Sequence, residues 1–252
     1  INNIFGVVTD QAYRWYQACC SDPVADLSDE ELCLVHPAAM LNMRNTINWE
    51  PKMVKTHHLN AIVNGVRLIP PQITKRVLYL VRDPRDVALS YAKHFGLDLD
   101  KAIARMTEPS LKLVAGENVE GGKAPHYTSS WAHHVKSYVE ATDLDVSVIR
   151  YEQLREDPVK YFTWALNWIG VENVDEDRVA RAVRHCELSK MQAQEATHGF
   201  KEASRKTERF FGDGKAGGWK GVLSADQVAR LEAHAGEVMR AMGYELAAAE
   251  AA

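Results

Sequence analysis

The chain has 252 residues, 46% hydrophobic and 25% charged, with a formal net charge of −4, the balance of an ordinary soluble globular chain forming a single domain over residues 1–252. A mildly acidic total excludes a general nucleic-acid binder, which needs a basic surface, and no apolar run approaches the ~20 residues of a membrane helix. Cys19, Cys20, Cys33 and Cys186 lack C-x-x-C spacing, and adjacent Cys19 and Cys20 pair poorly with each other; reduced thiols in a cytoplasmic protein are expected, with neither a disulfide frame nor a zinc site.

The chain opens at Ile1; no secretory leader is expected, and residues 1–50 read as helical and irregular. Asp10 is placed to cap a helix carrying Ala12, Tyr13, Trp15, Tyr16 and Ala18, Ser28 with Glu31 forms a capping box for a second helix, and Pro37 breaks or restarts it. Tyr13, Trp15, Tyr16 and Trp49 are core residues or, on a second reading, the lining of an apolar pocket. Met53 to His57 reads as a short strand ending in two histidines, whose alternating side chains should keep His57 and His58 from serving one site. Asn64-Gly65 and Pro70-Pro71 mark Asn60 to Thr74 as a loop.

The most informative stretch is Lys75 to Phe95, KRVLYLVRDPRDVALSYAKHF. Its apolar run Val77 to Val81 predicts a central strand covered on both faces. Asp83 and Pro84 supply a cap and a first-turn proline, so the strand turns directly into a helix carrying Val87, Ala88, Tyr91 and Phe95. Such a junction presents free N–H groups and the positive end of a helix dipole, where anions bind. Arg82 and Ser90 flank it, a fork of donors and a hydroxyl suited to one phosphate; the alternative is a solvated charge cluster of Arg82, Asp83, Arg85 and Asp86.

A short helix follows at Leu99 to Met106, then a polar loop from Gly116 to Pro125 whose GENVEGGK fails as a Walker A sequence, since Gly122 stands where the lysine belongs. Tyr127 to Ala141 is an amphipathic helix with Trp131, Val135, Tyr138 and Val139 on one side and His133 and His134 at its surface. Asp145 to Tyr151 is a second strand, followed by an acidic turn and a helix from Val159 to Ile169. Residues 175–198 form one or two helices. In RFFGDGKAGGWKGVLS (Arg209 to Ser224) glycines and lysines make a possible anion cradle, and Ser224 caps a long last helix that Gly243 stops.

Several of these segments, in this order, resemble the sulfotransferases that use 3'-phosphoadenosine 5'-phosphosulfate (PAPS). VRDPRDVALSYAKHFG resembles their 3'-phosphate-binding segment, and KTH the segment carrying the catalytic histidine. SSWAHHV resembles their SW-x-x-H-V helix, RYEQLREDP their YEDL-x-x-DP, and FFGDGKAGGWK their FFRKG-x-x-GDWK. The resemblance implies an α/β fold, a three-layer parallel sheet flanked by helices of the P-loop-nucleotide-hydrolase type. It further implies PAPS as co-substrate, a small-molecule or carrier-bound acceptor, and no metal. By the same token His57 is the base and Lys55 lies near the sulfuryl group. Arg82 and Ser90 grip the 3'-phosphate, Tyr151 lies on the adenine side, and Gly214 and Lys215 complete the phosphate site. Two departures stand out: Gly212 and Asp213 replace two basic residues, and no PKSGTTW-type 5'-phosphosulfate loop occurs, so the sequence is expected to start just after that loop. A non-catalytic module that binds 3',5'-bisphosphoadenosine or a protein partner is the alternative.

Overall fold

A computed structural model describes residues 7–48, 52–113, 124–200 and 210–247. In chain order the main elements are β1 (Val7–Thr9), α1 (Tyr13–Gln17), α2 (Asp29–Thr46), β2 (Met53–Lys55), β3 (Ile62–Val63), β4 (Val66–Arg67), β5 (Val77–Val81), α3 (Pro84–Phe95), α4 (Leu99–Met106), β6 (Lys112–Leu113), β7 (His126–Tyr127), α5 (Trp131–Val139), β8 (Val146–Arg150), α6 (Tyr151–Glu156), α7 (Pro158–Trp168), α8 (Glu176–His185), α9 (Leu188–His198) and α10 (Ala225–Ala241). The chain divides into two compact units, one of residues 1–77, 109–129 and 133–147, the other of residues 78–108, 130–132 and 148–252.

In the first unit β1 and β2 pair in parallel, Val7 opposite Met53 and Thr9 opposite Lys55. Helix α2 starts on the expected box: Ser28 accepts from the Glu31 amide, and the Glu31 carboxylate accepts in return from the Ser28 amide. Contrary to expectation, α2 runs straight through Pro37. An interior proline costs about 3 kcal/mol; against it, the helix buries Leu32, Cys33, His36, Ala39 and Met43, most of them a turn apart on one face. Trp15 and Tyr16 join Leu32, Ala39 and Met43 in the core, while Trp49 lies outside the described residues. The cavity that touches Tyr16 has a volume of about 10 Å³, room for about one water molecule and none for an apolar substrate. Residues 62–67, expected as loop, form the hairpin β3–β4. Asn64 and Gly65 both take positive φ (49° and 78°), the geometry of a two-residue turn that matches strand twist. Leu68 then sinks into a cluster with Cys33 and Leu59.

In the second unit the junction after β5 forms as read. Asp83 caps α3 by accepting from the Arg85 amide at 2.9 Å, Pro84 occupies the first turn, and Gly96 ends the helix in the left-handed region at φ 62°. The expectation of two covered strand faces needs correction: Val81 is 2% exposed but Leu80 is 54% exposed, and β8 is the partner of β5 among the described residues. Helix α4 has the predicted bounds, and Ala88, Ile103, Met106, Val228 and Leu231 pack from α3, α4 and α10 into one cluster. The acidic turn after β8 is instead the helix α6, which Tyr151 opens. Residues 176–198 make two helices, and Ser224 caps α10 as expected. On α5, Val135 and Tyr138 are buried, but Val139 is turned outward. The loop from Gly116 lies outside the described residues up to 123. No helix among the described residues is long and apolar enough to cross a membrane.

Candidate active site

The predicted site residues fall in both units, and each set has its own geometry. In the second unit Arg82 stands at the end of β5, where its guanidinium lies over the Tyr151 ring at 4.3 Å and its Nη2 donates to the Lys215 carbonyl at 2.9 Å. The Tyr151 hydroxyl donates to the Gly214 carbonyl at 3.1 Å. Four predicted residues, Arg82, Tyr151, Gly214 and Lys215, thus form one connected group. Gly214 takes φ 61°, and an added Cβ would meet Leu188 at 3.2 Å and the Tyr151 hydroxyl at 3.4 Å, so this position suits glycine twice over. Ser90 is exposed on α3, and its hydroxyl donates to the Asp86 and Val87 carbonyls, the local bond a helical serine makes when no other acceptor is offered. Asp213 is exposed, its charge in water.

Asp86 is the residue the sequence reading undervalued. Almost fully buried, its carboxylate accepts from the Gly217 amide at 2.8 Å and the Trp219 amide at 3.0 Å. Those two amides of the glycine-rich loop are therefore engaged by a side chain from α3 and do not serve as an anion cradle. Its neighbour Arg85, read as part of a surface charge cluster, is buried as well, bonded to Asp83 and Glu232.

In the first unit the strand β2 ends at Lys55, so the alternation expected to separate His57 from His58 does not apply. Both rings flank His126, centre to centre at 5.5 Å and 4.4 Å. The backbone that carries them is held at successive atoms. His134 Nε2 donates to the His57 carbonyl at 3.2 Å, the His58 amide donates to the Thr56 hydroxyl, the Tyr138 hydroxyl donates to the His58 carbonyl at 2.7 Å, and the Asn60 amide donates to the Ser137 hydroxyl. His134, expected at the surface, is half-buried in this role, whereas His133 is exposed.

His57 itself is exposed. Desolvation, then His126 and Lys55, lower its pKa, while Asp10 opposes them; its contact with water tempers the first cause, and the ring is neutral at pH 7 and able to accept a proton. His58 is buried, and desolvation, with His126 and His36 adding, drives its pKa well below the usual imidazole range. Asp10, expected as a helix cap, leaves α1 without a side-chain cap and instead sits fully buried, its Oδ1 at 2.7 Å from His126 Nε2. Burial pushes the Asp10 carboxyl up, but the hydrogen bond and charge of His126, helped by His58 and the Thr56 hydroxyl, outweigh it and keep the group ionised.

Comparison with known proteins decides the family. The profile of the sulfotransferase domain matches residues 26–243. The chain belongs to the sulfotransferase family. This sulfotransferase chain is 24% identical over 191 residues to cytosolic sulfotransferase 17 of Arabidopsis thaliana, covering 70% of its own length and 54% of the plant protein. It is 27% identical over 195 residues to sulfotransferase 1B1 of Mus musculus, covering 73% and 59%; it thus spans little more than half the length of these relatives. The crystal structure of mouse sulfotransferase SULT7A1 complexed with PAP superposes with a TM-score of 0.57 at 18% identity, over 94% of this chain and 84% of that one. Retinol dehydratase in complex with androsterone and inactive cofactor PAP gives 0.56 at 17%, over 89% and 64%. The chain therefore has the sulfotransferase fold, α/β and P-loop-nucleotide-hydrolase-like, as its motifs implied.

Proposed function

We propose that this sulfotransferase moves a sulfuryl group from PAPS to a hydroxyl or amine of a small-molecule or carrier-bound acceptor. The observation that carries the reading is the Arg82, Tyr151, Gly214 and Lys215 group, where the guanidinium is the forked donor a phosphate takes. The PAP bound in the solved neighbours supports a nucleotide of this kind. In this role Arg82 and Ser90 hold the 3'-phosphate, Tyr151 flanks the adenine, and Gly214 and Lys215 close the phosphate site. In the reaction the acceptor oxygen or nitrogen bonds to sulfur, the bond from sulfur to the 5'-phosphate oxygen breaks, and 3',5'-bisphosphoadenosine leaves. His57 takes the acceptor proton, and Lys55 offsets charge on the transferring group.

The test is calorimetric binding of 3',5'-bisphosphoadenosine together with transfer from labelled PAPS. Arg82→Ala is expected to weaken nucleotide binding at least tenfold, about 1.4 kcal/mol, a modest share of a charge-assisted contact. His57→Ala is expected to abolish transfer with nucleotide binding nearly intact. Equal affinity for Arg82→Ala would refute the phosphate site. Nucleotide binding by a chain that transfers nothing would identify the non-catalytic module instead.

A further inference from the structure

We propose that the buried Asp10–His126 pair is a positioning device for His57, in which His126 Nδ1 receives the second N–H of the His57 ring when that ring takes up a proton. The inference rests on the reading of His57 as the base.

The polarity of the pair is fixed by chemistry. An ionised carboxylate only accepts, so the proton between Asp10 Oδ1 and His126 Nε2, 2.7 Å apart, belongs to the imidazole. In the neutral ring the lone pair then lies on Nδ1. That atom is buried and has no hydrogen-bond partner among the described residues, a state that costs about 1–3 kcal/mol while it lasts. It is a buried acceptor in want of a donor.

Two rings stand close enough to supply one. Imidazoles joined by an in-plane N–H···N bond have centres roughly 5 Å apart, from a bond near 3 Å plus the two ring radii. His58, at 4.4 Å, is too near for a straight bond of that kind and makes an edge-to-face contact. His57, its centre 5.5 Å from that of His126 and its plane tilted by 61°, stands at the spacing of such a bond.

The bonds of His58 also decide against a competing reading. One atom each from Asp10, His58 and His126 lie within 4.8 Å of one another, a spacing a metal ion could use. The Tyr127 amide, however, donates to His58 Nδ1 at 3.2 Å, and an amide cannot accept. His58 therefore keeps its proton on Nε2 and has no lone pair there for a cation, whereas a ligating histidine donates its second N–H outward. Among the described residues His58 Nε2 and Asp10 Oδ2, like His126 Nδ1, have no hydrogen-bond partner.

The charged groups acting on His57 come from β2 (Lys55), α5 (His134), β7 (His126) and the segment after β1 (Asp10). Asp10 is the carboxylate whose charge reaches it and favours the imidazolium. When His57 accepts the acceptor proton on one nitrogen, the N–H on its other nitrogen bonds to His126 Nδ1. The positive charge is then shared along a line ending at Asp10, and no proton passes to the carboxylate.

Nitrogen-detected NMR of the histidine rings in the full chain tests this without any turnover. His126 is expected as the Nε2–H tautomer in the wild type, and Asp10→Asn is expected to lower the His57 titration midpoint by at least 0.5 pH unit while His134 moves less. His126→Gln should lower it as well. Either a wild-type His126 that carries its proton on Nδ1, or a folded Asp10→Asn chain with an unmoved His57 midpoint, overturns the proposal. So does added Zn²⁺ that shifts the His58 and His126 signals at stoichiometric amounts. If Asp10→Asn does not fold, the His57 midpoint in His126→Gln decides the matter, an unmoved midpoint overturning the proposal. Full transfer activity in His57→Ala would instead overturn the base assignment and leave the NMR coupling as it was.

Discussion

Replacing Arg85 with methionine should be among the most damaging single changes in the second unit. Arg85 Nη2 donates to Asp83 Oδ2 at 2.7 Å and to the Glu245 carbonyl at 3.0 Å, while Nε donates to Asp83 Oδ1 and Nη1 to Glu232 Oε1 at 2.8 Å. The guanidinium also lies over Trp219 at 4.0 Å. All three charged side chains are under 10% exposed, so methionine fills much of the volume but strands two carboxylates without their cation. Breaking such a pair from one side costs about 3–5 kcal/mol, and the lost ring contact about 1 kcal/mol more. The carboxylates retain backbone donors, the Arg85-position amide for Asp83 and the Ala247 amide for Glu232, which holds the sum to about 4 kcal/mol. At an m-value of about 2 kcal/mol/M, the urea midpoint followed by circular dichroism should drop by about 2 M. Arg85→Lys keeps the charge but not the fork and should lose about half as much. Adding Asp83→Asn and Glu232→Gln to Arg85→Met should recover part of the loss, since no buried charge is then left unpaired. A midpoint for Arg85→Met within 0.5 M of the wild type would refute the argument.

The first unit should weaken in acid. His36 and His58 are buried with pKa values below 6.5, desolvation being the leading cause for both, so the unfolded chain binds protons there that the folded chain does not. Stability is then full above pH 6.5 and is lost as pH falls below it, by up to about 1.4 kcal/mol per pH unit for each histidine. Urea midpoints equal at pH 7.5 and pH 5 would contradict this. Two glycines of one loop separate strain from crowding: Gly217 takes φ 72° with no described residue within 4 Å of an added Cβ, whereas Gly214 is crowded by Leu188 and Tyr151. Gly217→Ala should cost about 1 kcal/mol for left-handed backbone alone, and Gly214→Ala measurably more, with weaker 3',5'-bisphosphoadenosine binding; equal losses would remove the crowding argument.

Local signals carried most of what could be read from sequence. Asp83 and Pro84, the Ser28–Glu31 box, the Ser224 cap and the glycine stop at 243 act within a turn or two, so their residues suffice to place them. The α/β architecture followed from the junction after β5 together with the family motifs. What escaped was long-range. Asp10 has the composition of a helix cap, yet its partner His126 is 116 positions away, and nothing near Asp10 announces it. Asp86 reads as one charge among four, and its hold on Gly217 and Trp219 spans more than 130 positions. Pro37 was misjudged because propensity, a local cost, yielded to burial of a whole helix face. His57 and His58 were assigned opposite faces from a strand that in fact stops two residues earlier.

The Asp86 carboxylate occupies two loop amides in the way a phosphate oxygen pair would, so the glycine-rich loop is folded around an internal anion. Any phosphate seated there meets a loop whose shape is already set by an internal negative charge. Its specificity must then come from the side chains and remaining donors around that fixed shape, and altering position 86 would change what the loop can admit before it changed how tightly anything is held.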